Sequence, residues 1–211
     1  MKTLNITKFA AVGLILILLL LHVLDSTVNP NWQPISEYAL GNFGWLMNLA
    51  FILFGISFLF LGISIFKKLP NIGAKIGSIL LIISSIGNFI AGFFNTDPIT
   101  TKPENMSSSG NIHSVAAGLL GFMILSTVFI LIPFFKNDSL KPYKKSMLII
   151  TILLWFSELT LVSVMGYYLS ETNGIISAET PIGWYGRIVV VLCAIWCYMC
   201  ADSIQKANSQ N

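Results

Sequence analysis

Residues 43–70 read FGWLMNLAFILFGISFLFLGISIFKKLP. No charged side chain interrupts Phe43 to Phe66, and the run then stops at Lys67-Lys68-Leu69-Pro70. A helix needs about 20 apolar residues to cross the hydrocarbon of a bilayer. Lysines followed by proline end such a helix, because proline cannot continue the backbone ladder. An apolar run of this length satisfies its backbone N–H and C=O groups in lipid by being helical.

Outward from this run, others of the same kind occupy residues 9–24, 72–94, 113–135, 147–169 and 184–201, separated by short polar segments. The 211-residue chain is 55% hydrophobic and only 10% charged, whereas a soluble domain carries about 25% charged residues. That much apolar surface requires lipid as its solvent. Six helices and their loops use up residues 1–211, so the sequence predicts an all-α fold: one transmembrane domain, a polytopic six-helix bundle with no separate soluble domain. The run at 9–24 follows Lys2 and Lys8 as a signal peptide would. No small-x-small cleavage site precedes His22, Asp25 and Ser26, however, so it reads as an uncleaved first helix.

Charge sets the orientation. Of the twelve lysines and arginines, all but Lys102 and Arg187 fall at the N-terminus, in the second and fourth loops, in the tail or, as Lys75, just after the second loop. Short cytoplasmic loops hold the positive excess, which predicts an N-in, C-in chain. Asp25, Glu37, Asp97, Glu104, Glu171 and Glu179 then lie outside, giving an acidic outer face. The formal net charge of +3 does not point to nucleic acid, because the basic residues form short clusters beside apolar runs and no continuous patch. Cys193, Cys197 and Cys200 share the last apolar run, which is no disulfide framework. They read as small packing residues.

Small residues mark expected helix contacts: Gly73 and Gly77, the stripe Ser84, Asn88, Gly92, and the stripe His113, Ala117, Gly121. Polar residues gather near the outer boundary. His22 and Asp25 stand at i, i+3, where a carboxylate can orient an imidazole. In Pro34-Ile35-Ser36-Glu37-Tyr38-Ala39-Leu40-Gly41 the serine reads as an N-cap, the glutamate suits a positive helix end and the glycine permits a turn. Asp97 and His113 flank one loop and are expected within reach of each other, and Arg187 opens the last helix. Ser36, Glu37, Asp97, His113 and Arg187 are therefore the ligand-binding candidates of one outer pocket, with no catalytic residue assigned. His22, Asp97 and His113 are ligand types that Zn²⁺ accepts, yet no H-E-x-x-H or paired-cysteine motif accompanies them, so no cofactor is assigned. Glu158 lies deep in the fifth helix, where a carboxyl must be paired, hydrated or neutral. It is expected to face the bundle interior, with Asn48 and Asn88 as intramembrane polar partners.

Pro34 to Gly41, Gly44-Trp45, Phe94-Asn95-Thr96-Asp97-Pro98 and Gly110-Asn111-Ile112-His113 together resemble the prokaryotic integral-membrane family catalogued as domain of unknown function 998. The likeness runs from Phe9 to Ala201 and implies six helices in a prokaryotic cytoplasmic membrane. It brings no activity, and it marks Ser36, Glu37, Asp97 and His113 as candidate positions. The Pro-Ile-Ser-acid element is also similar to the first outer loop of eukaryotic DRAM-like and GPI-anchor-remodelling proteins, which implies contact with lipids. Three readings stand side by side. The first binds a lipid or amphiphile in the outer pocket, with membrane lipids as partners. The second is a metal-assisted membrane hydrolase using His22, Asp97 and His113. The third is a small proton-linked permease using Glu158, although the chain shows no inverted repeat.

Overall fold

The computed structural model describes residues 2–172 and 176–209. Among them lie seven α-helices and no strand: α1 (Lys2–Leu24), α2 (Gly44–Lys68), α3 (Ile72–Phe93), α4 (Ser108–Gly118), α5 (Leu120–Lys136), α6 (Lys144–Glu171) and α7 (Ile182–Ser209). Six stretches are long and apolar enough to cross a membrane, because α4 and α5 follow one another in a single span, Ser108–Lys136. The helix expected to open at His113 starts earlier. Ser107 caps it, its hydroxyl accepting from the Gly110 N–H at 2.9 Å, which satisfies one of the unpaired donors of the first turn.

The span breaks at Leu119, whose N–H turns to the carbonyls of Ala116 and Ala117. Gly118 and Gly121 flank the break, and glycine is the weakest helix former after proline. On the α3 side, Gly87 lies against the Ala116 carbonyl and the Leu119 side chain. The bend therefore rests on a close backbone contact.

Each span packs on the next in sequence and α7 packs back on α1, so the helices close into a ring, with α2 also reaching α7 across the middle. Leu14, Met47, Phe58, Leu61, Met123 and Trp196 fill the interior, while Phe9, Leu16, Ile72, Phe156 and Val162 face outward into what lipid must cover. Small residues let backbones approach: a Cβ on Gly77 would stand 3.0 Å from the Ser126 carbonyl, and one on Gly92 would stand 3.1 Å from that of Asn48. The α3 stripes thus pack as expected.

The stripe His113, Ala117, Gly121 behaves differently. Its first residue, His113, is buried, but nothing lies within 4 Å of a Cβ built on Gly121 or on the neighbouring Gly118, so the far end of this face borders a cleft. The thinnest joint in the ring is the adjacent one between α5 and α6. Every buried residue of α6 lies between Met147 and Ser157. There Trp155 Nε1 donates to Thr127 Oγ1 at 3.1 Å and Trp196 Nε1 donates to Thr151 Oγ1 at 2.9 Å, tying α6 to α5 and α7. From Glu158 onward α6 buries none of its residues.

At the lysine-rich end Asp202 bridges α1 and α7, with Lys8 at 3.3 Å and Lys206 at 2.7 Å. Cys193, Cys197 and Cys200 are buried and unpaired.

Candidate functional site

The loops at the lysine-poor end are held by carboxylates that bond to backbone and amide groups. Glu37 sits buried in a 3-10 turn, Ile35–Leu40. One of its oxygens accepts from the side-chain amide of Gln33, the other from the Ile99 N–H at 2.7 Å. It therefore staples the 25–43 loop to the 94–107 loop. A buried carboxylate is stable only with its oxygens satisfied in this way. Ser36 does not cap this turn: the cap position is Pro34, without a side-chain bond. Gly41 likewise has an ordinary extended backbone, φ −87°. Its missing side chain leaves room for the Asp25 carboxylate packed against it.

Asp97 clasps the start of α4. It accepts from the Ser107 N–H at 2.7 Å and from the Ser107 hydroxyl at 2.9 Å, while that hydroxyl accepts from Gly110. A negative charge suits a helix N-terminus, and Gly110 leaves the space the carboxylate occupies. His113 is buried one turn further along. Its Nδ1–H donates to the Phe94 carbonyl at 2.7 Å, and Phe51 meets its ring edge-on. Because a carbonyl only accepts, this bond fixes the proton on Nδ1. Asp97 and His113 make no bond to each other; each is held by its own backbone or hydroxyl partner.

They nevertheless share a pocket. A cavity of about 390 Å³ is lined by Ser36, Asp97, Ile99, His113, Ser114 and Met165, among others. Its walls come from both loops, α4 and the unburied half of α6. Pockets for small molecules run from about 300 to 1,000 Å³.

Arg187 and His22 belong to a separate cluster, because α7 borders α1 in the ring. The His22 Nδ1–H donates to the Leu18 carbonyl at 2.6 Å, and its Nε2 accepts from Arg187 Nε at 2.8 Å. Arg187 Nη1 donates to the carbonyls of Gln33 at 2.6 Å and Gly183 at 3.0 Å, and the guanidinium lies 5.7 Å from the Tyr38 ring centre and 5.9 Å from that of Trp184. The expected His22–Asp25 pair does not form: Asp25 accepts instead from the backbone and hydroxyl of Thr27. Gln33 links the two clusters, its carbonyl serving Arg187 and its amide serving Glu37.

Zinc finds no ready triad here. His22 has spent its lone pair on Arg187, and among the described residues no three His, Cys, Asp or Glu side chains gather as a metal-holding group. Glu158 is half-buried and lines the α5–α6 joint, without a bond to Asn88, whose amide donates to the Ser84 carbonyl at 3.0 Å. Asn48 Oδ1 is buried and has no hydrogen-bond partner among the described residues. Sequence reasoning missed Gln33, Tyr38, Ser107 and Met165. Of these only Ser107 carried a signal, as a serine three residues before Gly110 at a loop end.

The fold and the site define a multi-pass helical membrane protein with a pocket of mixed polar and apolar lining at one end. The chain belongs to the family described as Protein of unknown function (DUF998), whose model matches residues 9–201. No curated protein and no solved structure matches it.

Proposed function

We propose that the protein sits N-in, C-in in the cytoplasmic membrane and binds a lipid or other amphiphile in the pocket at its outer end. The supporting observation is the pocket's position: polar loop residues Ser36, Asp97 and His113 on one side, and on the other Met165, in the half of α6 that buries no residue. A headgroup has hydrogen-bonding partners there, and its hydrocarbon has an unblocked way into the bilayer. Glu37 shapes this site by fixing Ile99 in its wall, while Arg187 supports the first loop from behind.

The test is lipid retention. Protein extracted in native polymer discs is compared with Ser114→Phe, which fills the pocket from an exposed position, by mass spectrometry of the released lipids. A lipid species enriched in the parent and lost from the variant, at equal thermal stability, is the expected result. Equal lipid profiles in the two would sink the reading.

A further inference from the structure

A second cavity, of about 370 Å³, lies below the first at membrane depth and is lined by Gly118, Gly121, Phe122, Ile124, Leu125, Trp155 and Glu158. Ala117 borders the upper cavity and Gly118 the lower one. The lower cavity exists because the two glycines have no atom within 4 Å of where a Cβ would stand and because α6 is free of burial from Glu158 onward.

Its chemistry is one-sided. Glu158 makes no hydrogen bond or ion pair to any described residue, and no lysine, arginine or histidine lines the cavity. A carboxyl at this depth is paired, hydrated or neutral, and a cation seated beside it is what would hold it ionised. Two aromatic rings stand with it. Trp155 is pinned through its indole N–H to Thr127 at 3.1 Å, and Phe122 is on the facing helix. A carboxylate beside aromatic faces is what receives an organic cation, since ring quadrupoles attract a poorly hydrated positive charge. A metal ion is a poor match, because one carboxylate and hydrocarbon offer too few oxygens.

We infer that the α5–α6 cleft is a binding site for a hydrophobic organic cation, a quaternary ammonium or similar lipophilic group, held by Glu158 between Trp155 and Phe122. The site is separate from the loop-end pocket above it and does not rest on the lipid reading. The cation arrives from the bilayer, because the cleft opens on the lipid side of the ring, whereas toward the lysine-rich end Leu154, Thr151 and Ile150 are buried in helix contacts.

Tetraphenylphosphonium and tetraphenylborate have nearly the same shape and opposite charge, so they separate charge recognition from partitioning. Equilibrium dialysis of both against the protein in lipid nanodiscs, with empty nanodiscs subtracted, tests the site. Saturable binding of the phosphonium and none of the borate is expected. That binding should fall at least tenfold in Glu158→Gln and in Gly121→Phe, which fills the cavity, and should persist in Ser114→Phe. Should the glutamine variant fail to fold, Gly121→Phe carries the test. Equal binding of the two ions, binding no greater than in empty discs, unaltered binding in the folded cavity variants, or loss in Ser114→Phe would each overturn the assignment. The last result would move the cation to the upper pocket, and lipid retention there is measured independently.

Discussion

At the scale of single residues, the loop end is held by acceptors that match particular donors. Glu37 is the clearest case, since each of its oxygens has one donor, Gln33 and Ile99. In Glu37→Gln, whichever way the amide turns, its NH₂ meets another N–H. Leaving a buried donor unpaired costs about 1–3 kcal/mol. Exchanging both residues, Gln33→Glu with Glu37→Gln, restores a complementary pair. A double-mutant cycle of thermal melts in detergent should therefore show a favourable coupling on the order of 1 kcal/mol, and strictly additive losses would refute the staple. The candidates Glu37, Asp97 and His113 were legible because acids and imidazoles are conspicuous beside apolar runs. Their partners were not, because backbone N–H and C=O groups carry no sequence signature. For the same reason the loop flanked by Asp97 and His113 suggested that the two were near each other and did not reveal the backbone and hydroxyl groups that hold each one.

At the scale of elements, the six spans were legible as runs of apolar residues, and their limits at one end as lysines and proline. The break at Leu119 was not. Gly118 and Gly121 look the same in sequence whether they admit a neighbouring helix, as Gly77 does, or leave a gap. Substitution separates the two kinds. Gly77→Ala puts a Cβ 2.6 Å from an Ile130 side-chain carbon and 3.0 Å from the Ser126 carbonyl, an overpacking that costs about 1–3 kcal/mol. Gly166→Ala, inside α6 with nothing within 4 Å, gains helix propensity and should stabilise by about 0.5–1 kcal/mol. Melting temperatures that moved in the same direction for both variants would contradict the difference between the packed α3 face and the open half of α6.

At the scale of the whole molecule, the lysine distribution predicts an orientation. Reporters fused after Lys68 and Lys145 should be cytoplasmic and one at Ser108 external, as read by a phosphatase and green-fluorescent-protein pair. A fusion after Gln210, outside the described residues, should agree with the first two. A cytoplasmic signal at Ser108 would invert the map. The ring order itself could not be read from the lysines, because charge gives direction across the bilayer and says nothing of which helix stands beside which. That order has a practical consequence at the lysine-rich end, where Asp202 joins Lys8. The first and last helices stand side by side with their free ends on the same face, so a short peptide can span from one to the other without crossing lipid. A chain rewired in that way, and opened instead at the turn after Lys68, would begin and finish on the same side as before, every helix keeping its direction and its neighbours. For this ring, the order of neighbours does not depend on which turn is left open.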